Sequence, residues 1–145
     1  MTVNLIKMSV GVEDVRHLER IQAKRLTDAE RRGVTPELMH ITRHTPRRAA
    51  EILRGGSIFW VIKRLIRVRQ RIADIRQVEG KEGRKSCALV LEPGLIRTEI
   101  RSFRAFQGWR YFAVEDAPPD LPASIAENDE VPAEMAAELR GLGLL

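Results

Sequence analysis

Residues 57–78 read SIFWVIKRLIRVRQRIADIRQV, and the fold class turns on whether this stretch is strand or helix. From Ile66 onward the residues alternate. Ile66, Val68 and Ile72 fall on one side with Gln70 among them, and Arg67, Arg69 and Arg71 fall on the other. Val61, Leu65, Val68, Ile72 and Ile75 also repeat at steps of four and three, which is a helical stripe. The β-branched and aromatic content of SIFWVIK, with Gly55-Gly56 just before it, favours two strands or one bent strand. A helix is the alternative.

Working outward, residues 3–10 read as a strand ended by Gly11, and residues 12–32 as a helix. Val15, Leu18, Ile21, Leu26 and Ala29 form the apolar stripe of that helix. Glu13 and Asp14 suit its positive end, and Gly33 stops it. Residues 38–42 read as a short strand. Thr45 before Pro46 looks like a capping hydroxyl with proline at the first helical position, opening a helix over 46–54 that Gly55-Gly56 closes. A polar turn over 79–85 leads to strands at 86–91 and 95–103, separated by Pro93-Gly94. A last strand lies within 106–114, where Gly108 suggests a bulge or a close backbone approach. The sum is α+β: a mostly antiparallel sheet or small open β-barrel with two main helices. Residues 1–116 read as one domain and 117–145 as an acidic, proline-containing tail. Within it APPDLP (117–122) should hold no regular structure and 131–142 should form a short C-terminal helix.

The 145 residues are 43% hydrophobic and 31% charged, which fits one soluble globular domain and rules out a disordered chain. No run approaches the roughly 18 apolar residues of a membrane span. The opening MTVNLIKMSVGVEDV lacks a basic start, a long apolar core and a cleavage site, so no secretion signal is expected. The single cysteine, Cys87, excludes an internal disulfide and a multi-cysteine zinc site, and a cytoplasmic location is expected. The net charge of +5 is unevenly spread: +1 over residues 1–40, +11 over 41–110 and −7 over 111–145. A field of that size attracts anions, nucleic acid foremost; the plainer reading is a solvated basic face shielded by the acidic tail.

All seven aromatic residues lie between Phe59 and Phe112, inside the basic interval. Aromatic planes beside arginine stack unpaired bases while gripping phosphate. Most of these rings should be core, so the exposure of Trp60 and Trp109 decides. The segment RSFRAFQGWRY (101–111) holds three arginines, a glutamine and four aromatics, a set suited to bidentate recognition of phosphate or a base edge. On a strand, Arg67, Arg69 and Arg71 would share one face at roughly 6.5–7 Å intervals, close to the spacing of successive phosphates. Arg43, Arg47 and Arg48 flank Pro46, at what reads as a helix N-terminus offering free N–H groups to an anion. His40 and His44 stand four apart but lack a placed carboxylate, so no metal is expected. Cys87 sits in an apolar strand with no base beside it, and no nucleophile elbow, phosphate loop or dinucleotide fingerprint occurs. No catalytic residue or cofactor is assigned.

The runs HITRHTPRRAAEILRGGSIFWVIK, RQRIADIR, LVLEP and RAFQGWRYFAVEDAPPDL together resemble an uncharacterised alphaproteobacterial family, domain of unknown function 1489. The resemblance covers nearly the whole chain and brings no activity, cofactor or catalytic residues. The family pattern carries a glycine after WVIK, where this chain has Arg64, so the resemblance leaves a tight turn there unsupported. A helix closed by glycines, an aliphatic strand and a strand of the type RQRIADIR are also similar, at fold level, to PUA-like open barrels. These include RNA-binding and modified-base-reading modules, and that similarity implies nucleic acid only by analogy.

The expected function is a nucleic-acid-binding module for RNA or for a single-stranded or flipped base. Arg43, Arg48, Lys63, Arg67, Arg69, Arg71, Arg104 and Arg110 would hold phosphates. Trp60, Phe106 or Trp109 would stack a base, and Gln70 or Gln107 would read its edge. The alternative is a protein-interaction or regulatory domain whose basic face meets an acidic protein or its own tail. An enzyme on small anionic, nucleotide-like substrates fits the arginines but lacks a visible acid–base arrangement. No membrane partner is expected.

Overall fold

The computed structural model describes residues 1–122. In chain order the elements are β1 (Asn4–Met8), α1 (Val15–Arg31), β2 (Leu38–Thr42), α2 (Ala49–Ile52), β3 (Ser57–Ile62), β4 (Leu65–Glu79), β5 (Lys85–Leu91), β6 (Ile96–Ser102) and β7 (Trp109–Phe112). The decisive stretch is therefore β3 and β4, and the helical alternative is overturned. Four of the five residues of its stripe, Leu65, Val68, Ile72 and Ile75, lie on β4, where register shifts at Arg67 and past Ile72 break strict alternation, and β3 is buried at all six positions. Lys63 and Arg64 turn the chain between β3 and β4, with φ of 49° and 67°. Both lie in the left-handed region, as a type I′ hairpin requires. The tight turn thus forms without a glycine, and the Arg64 carbonyl accepts from the Phe103 amide at 2.8 Å.

The strands form one open, mostly antiparallel sheet of seven, ordered β2-β5-β4-β3-β1-β7, with β6 also on β4. Only β1 and β3 run parallel, joined through α1, β2 and α2. The 15-residue β4 organises the sheet. Its first half pairs with β3 from Ser57↔Arg71 to Ile62↔Leu65, and with β6 from Leu65↔Ser102 to Arg69↔Ile96. Its second half pairs with β5 from Ile72↔Leu91 to Glu79↔Lys85. The register shifts between Ile66 and Val68, at Arg67, and again between Ile72 and Asp74. Such irregularities bend a strand and increase its twist, which curls the sheet. The sheet does not close: β2, β7 and the outer side of β6 are its edges.

Both faces of the sheet are covered. On one face Leu5, Ile58, Trp60, Ile62 and Val68 pack with Val15 and Leu18 of α1. On the other, Ile6, Phe59, Val61, Ile66 and Phe112 form a second cluster, with Phe103 and Phe106 against it. The stripe expected on α1 is present: Val15, Leu18 and Ala29 are buried, and Ile21 and Leu26 partly so. Asp14 caps the helix by accepting from the His17 amide at 2.7 Å. At its other end Val34 and Gly33 donate to the carbonyls of Ala29 and Glu30, a Schellman closure with Gly33 at φ 71°. Gly56 is obligatory, because a Cβ there would collide with the carbonyl oxygens of Val3 and Ile52. No helix among the described residues is long and apolar enough to cross a membrane.

A polar contact docks α1 on the sheet. Gln70 is fully buried, and Gln22 of α1 is nearly so. The two amides pair reciprocally, each Nε2 donating to the other's Oε1 at 2.9 Å. Trp60 Nε1 donates to the same Gln70 oxygen at 3.2 Å, and Gln70 Nε2 donates to the Glu92 carbonyl at 2.9 Å. All four hydrogen-bonding positions of Gln70 are used. Periodicity placed Gln70 correctly among apolar neighbours, but its role is structural.

Two expectations need correction. The helix over 46–54 is the four-residue α2, with Arg48 rather than Thr45 in the capping position and no side-chain cap. The Arg48 amide instead donates across the fold to the Tyr111 hydroxyl at 3.1 Å. APPDLP also does more than expected: Asp120 bridges Thr98, while Glu99 and Leu121 donate to the carbonyls of Pro119 and Arg97. The unpaired edge of β6 recruits this segment despite its prolines. The expected C-terminal helix at 131–142 lies outside the described residues.

Three stability comparisons follow from this arrangement. Gln70→Leu strands the Trp60 N–H, the Gln22 amide and the Glu92 carbonyl in the core, and should cost about 3–5 kcal/mol in urea unfolding. Gln22→Leu/Gln70→Leu should cost less than the sum of its two single variants, because each amide is the other's partner. Arg64→Gly removes left-handed strain at a site already turned, and should raise stability by about 0.5–1 kcal/mol.

Candidate functional site

The residues singled out from the sequence separate into four groups. Trp60 and Gln70 are core, 4% and 0% exposed. Trp60 therefore offers no open platform on which a base could stack, and Gln70 has no free edge to read one. Lys63, in the hairpin turn, pairs with Glu13 at 2.6 Å. The arginine row on β4 does not exist as a row. Arg67 sits at the bulge and is 8% exposed, while Arg69 makes a two-pronged ion pair with Asp120, both contacts 2.8 Å, and donates to Ser57 Oγ. Only Arg71 of the three is exposed. A bulge breaks the period of two that the sequence reading assumed.

The segment RSFRAFQGWRY is divided between the two faces. Register pairs Arg110 with Ile6, whereas Trp109 pairs with Lys7 and Tyr111 with Leu5. Arg110 thus shares the face of the second cluster, where its guanidinium lies 4.6 Å from the Phe106 ring centroid. Phe106 in turn meets Phe103 edge-on at 5.4 Å. Arg104 is exposed in the connection before β7. Trp109 and Tyr111 belong to the α1 face, edge-to-face at 5.0 Å.

On that face a groove of about 650 Å³ opens between the end of β2 and the start of β7. Arg43, Arg47, Gln107, Trp109 and Tyr111 line it, with Lys7 at its floor. Trp109 Nε1 donates to the His44 carbonyl at 3.0 Å, which ties β7 to the loop after β2. Gly108, at φ 70°, swings the chain so that Gln107 and Trp109 flank the opening. Arg48 stands beside the groove, its fork held by Glu51 at 2.7 and 3.0 Å and its guanidinium 5.4 Å from the Tyr111 ring. The anion pocket expected at the N-terminus of a second helix is not there: α2 is a single turn, and Arg48 is committed to Glu51.

Of the expected site residues, Arg43, Gln107 and Trp109 are thus brought together, with Arg48 at the margin. Lys7, Arg47 and Tyr111 complete the lining and lay outside the expected set. Arg47 stands out in the sequence only beside Pro46, and nothing in the sequence pattern singles out Lys7. No acid lines the groove, and Arg43 and Arg47 have no acidic partner among the described residues.

Behind Lys7, His40 of β2 sits edge-on to Trp60, with ring centroids 5.1 Å apart. Burial, reinforced by Lys7 and Arg25, pushes its pKa down to about 4. Burial also lowers the Lys7 ammonium. Asp120 is held below the usual carboxylate range by Arg69. Among the described residues no three His, Cys, Asp or Glu side chains gather as a metal site. Cys87 is a buried free thiol.

His40 gives a pH signature. The unfolded imidazole takes up its proton near 6.5 and the folded one only near 4. The stabilisation is therefore complete above about 6.5, is lost as pH falls from there toward 4, and changes no further below. Asp120 acts lower: its depressed pKa stabilises the fold above the ordinary carboxylate value and is lost on further acidification. Urea unfolding across pH should show both windows, and His40→Asn should flatten only the upper one.

The family described as "Protein of unknown function (DUF1489)" matches residues 5–145. No curated protein and no solved structure matches the chain.

Proposed function

The chain belongs to the DUF1489 family, whose description names no activity, and we propose that it is a nucleic-acid-binding module that takes single-stranded RNA or an unpaired base in the β2–β7 groove. One observation carries the reading. Two arginines without an acidic partner among the described residues, an exposed amide and an aromatic pair converge on one groove, and no described acid lines it. Arg43 and Arg47 grip successive phosphates. A base lies against Trp109 and Tyr111, a contact worth about 1–3 kcal/mol per base in single-strand binders. Gln107 hydrogen-bonds its edge. The open, curled, mostly antiparallel sheet supports the accompanying fold reading, PUA-like, and the ligand suits a cytoplasmic location.

A second reading, an acidic partner on a basic face, is favoured by Asp120. This residue of the acidic segment already occupies Arg69. That contact lies on β4 and β6, away from the groove.

Fluorescence anisotropy against single-stranded RNA, single-stranded DNA and duplex DNA across a salt series tests the proposal. Single-stranded RNA should bind best. Arg43→Gln/Arg47→Gln should flatten the log–log salt slope by about 1.4, the share of two phosphates on a single strand. Arg104→Gln/Arg110→Gln, neither of which lines the groove, should leave it unchanged. No binding at low salt, or equal sensitivity to the two double variants, overturns the groove. Displacement of RNA by polyglutamate at equal charge concentration would favour the acidic-partner reading.

A further inference from the structure

A second, deeper pocket of about 190 Å³ lies between α1, β1 and β2, separated from the groove by Lys7. Its walls combine features that a filled core does not leave exposed. Lys7 and Arg25 both line it, no acid does, and neither has an acidic partner among the described residues. His40 also lines this pocket, and its Nε2 is the one buried side-chain polar atom among the described residues with no hydrogen-bond partner. Leu18, Ile21 and Trp60 form the apolar remainder.

We propose that this pocket binds a small organic anion, its oxyanion head held by Lys7, Arg25 and His40 and its apolar body against Leu18, Ile21 and Trp60. The chemistry of the lining selects that class. Two cations on an apolar wall leave one charge sign uncompensated, and an anion supplies it. A neutral imidazole has one N–H to give, and Nε2 carries it when the ring takes that tautomer. The low pKa of His40 agrees, because burial first, and the neighbouring cations second, keep the ring neutral until an anion arrives. The lowered Lys7 reports the same uncompensated burial. The volume is below the roughly 300–1,000 Å³ of pockets for drug-sized ligands, so a single-ring acid is the right scale. The proposal is independent of RNA binding in the groove.

His40 itself is the reporter. Imidazole NMR resonances of the full chain would be followed during titration with benzoate, phenyl phosphate, inorganic phosphate and neutral benzyl alcohol. Benzoate or phenyl phosphate should shift the His40 signals saturably and raise the midpoint of its pH titration. Which of the two binds tighter identifies the head group as carboxylate or phosphate. Arg25→Gln should weaken binding about tenfold, while Arg47→Gln, in the groove alone, should leave it unchanged. Three results overturn the proposal: neither organic anion produces a saturable shift, benzyl alcohol matches benzoate, or inorganic phosphate matches phenyl phosphate. These arms use the wild-type chain, so they stand even if a variant misfolds, and none depends on whether RNA binds.

Discussion

The reciprocal amide pair of Gln22 and Gln70 is the contact on which the arrangement depends. Apolar packing could seat α1 on the sheet in several registers, since a stripe of Val15, Leu18 and Ala29 slides at modest cost. Two buried amides that use each other's donors and acceptors allow one register only, because any slip strands polar groups in the core. Trp60 and the Glu92 carbonyl join the same hub. The hub therefore fixes helix, β3, β4 and the connection leaving β5 together. Lys7, paired in register with Trp60, is positioned by this arrangement, and so is the partition between groove and deep pocket.

The bend of β4 is the second constraint. One strand serves β3 and β6 with its first half and β5 with its second; one shift falls within the first half, at Arg67, and the other just past Ile72, where β5 takes over. The curl brings the loop after β2 to the start of β7 without closing a barrel. The Trp109–His44 and Tyr111–Arg48 hydrogen bonds then span the gap with side chains where a closed barrel would use a backbone ladder. A gap spanned in that way is concave and lined by side chains, which is what a binding site needs.

Much of this was legible in the sequence. Alternation, β-branched content and turn glycines identified the strands, and the stripe with its stop signal identified α1. What escaped has specific physical causes. A short helix needs tertiary support, and the Thr45-Pro46 signal lost to the Tyr111 hydroxyl sixty residues away. The row of β4 arginines assumed an unbroken pleat, which the bulge at Arg67 removes. RAFQGWRY read as one functional unit, yet a strand sends neighbours to opposite faces, so Arg110 and Trp109 were always going to part. Lys7 and His40 became informative only once the sheet placed them behind one opening.

The fate of the arginines separates structure from recognition better than their number does. A surplus of +11 in the central interval suggested one broad basic surface. Much of it is consumed locally: Arg48 by Glu51, Arg69 by Asp120, and Arg76 by Glu37 and Asp74. Exposed pairs of that kind add about 0–1 kcal/mol each and mainly fix side chains in place. Arg43, Arg47 and Arg25 have no such partner among the described residues, and they stand at the two openings on the α1 face, with Lys7 between. Among the described residues, no acid lines either opening. Uncompensated cations raise the affinity of a concave site for anions far more than the same charges would on a paired, convex surface. The proposed anion recognition therefore rests on Arg43, Arg47, Arg25 and Lys7 in two cavities rather than on the net charge of the chain.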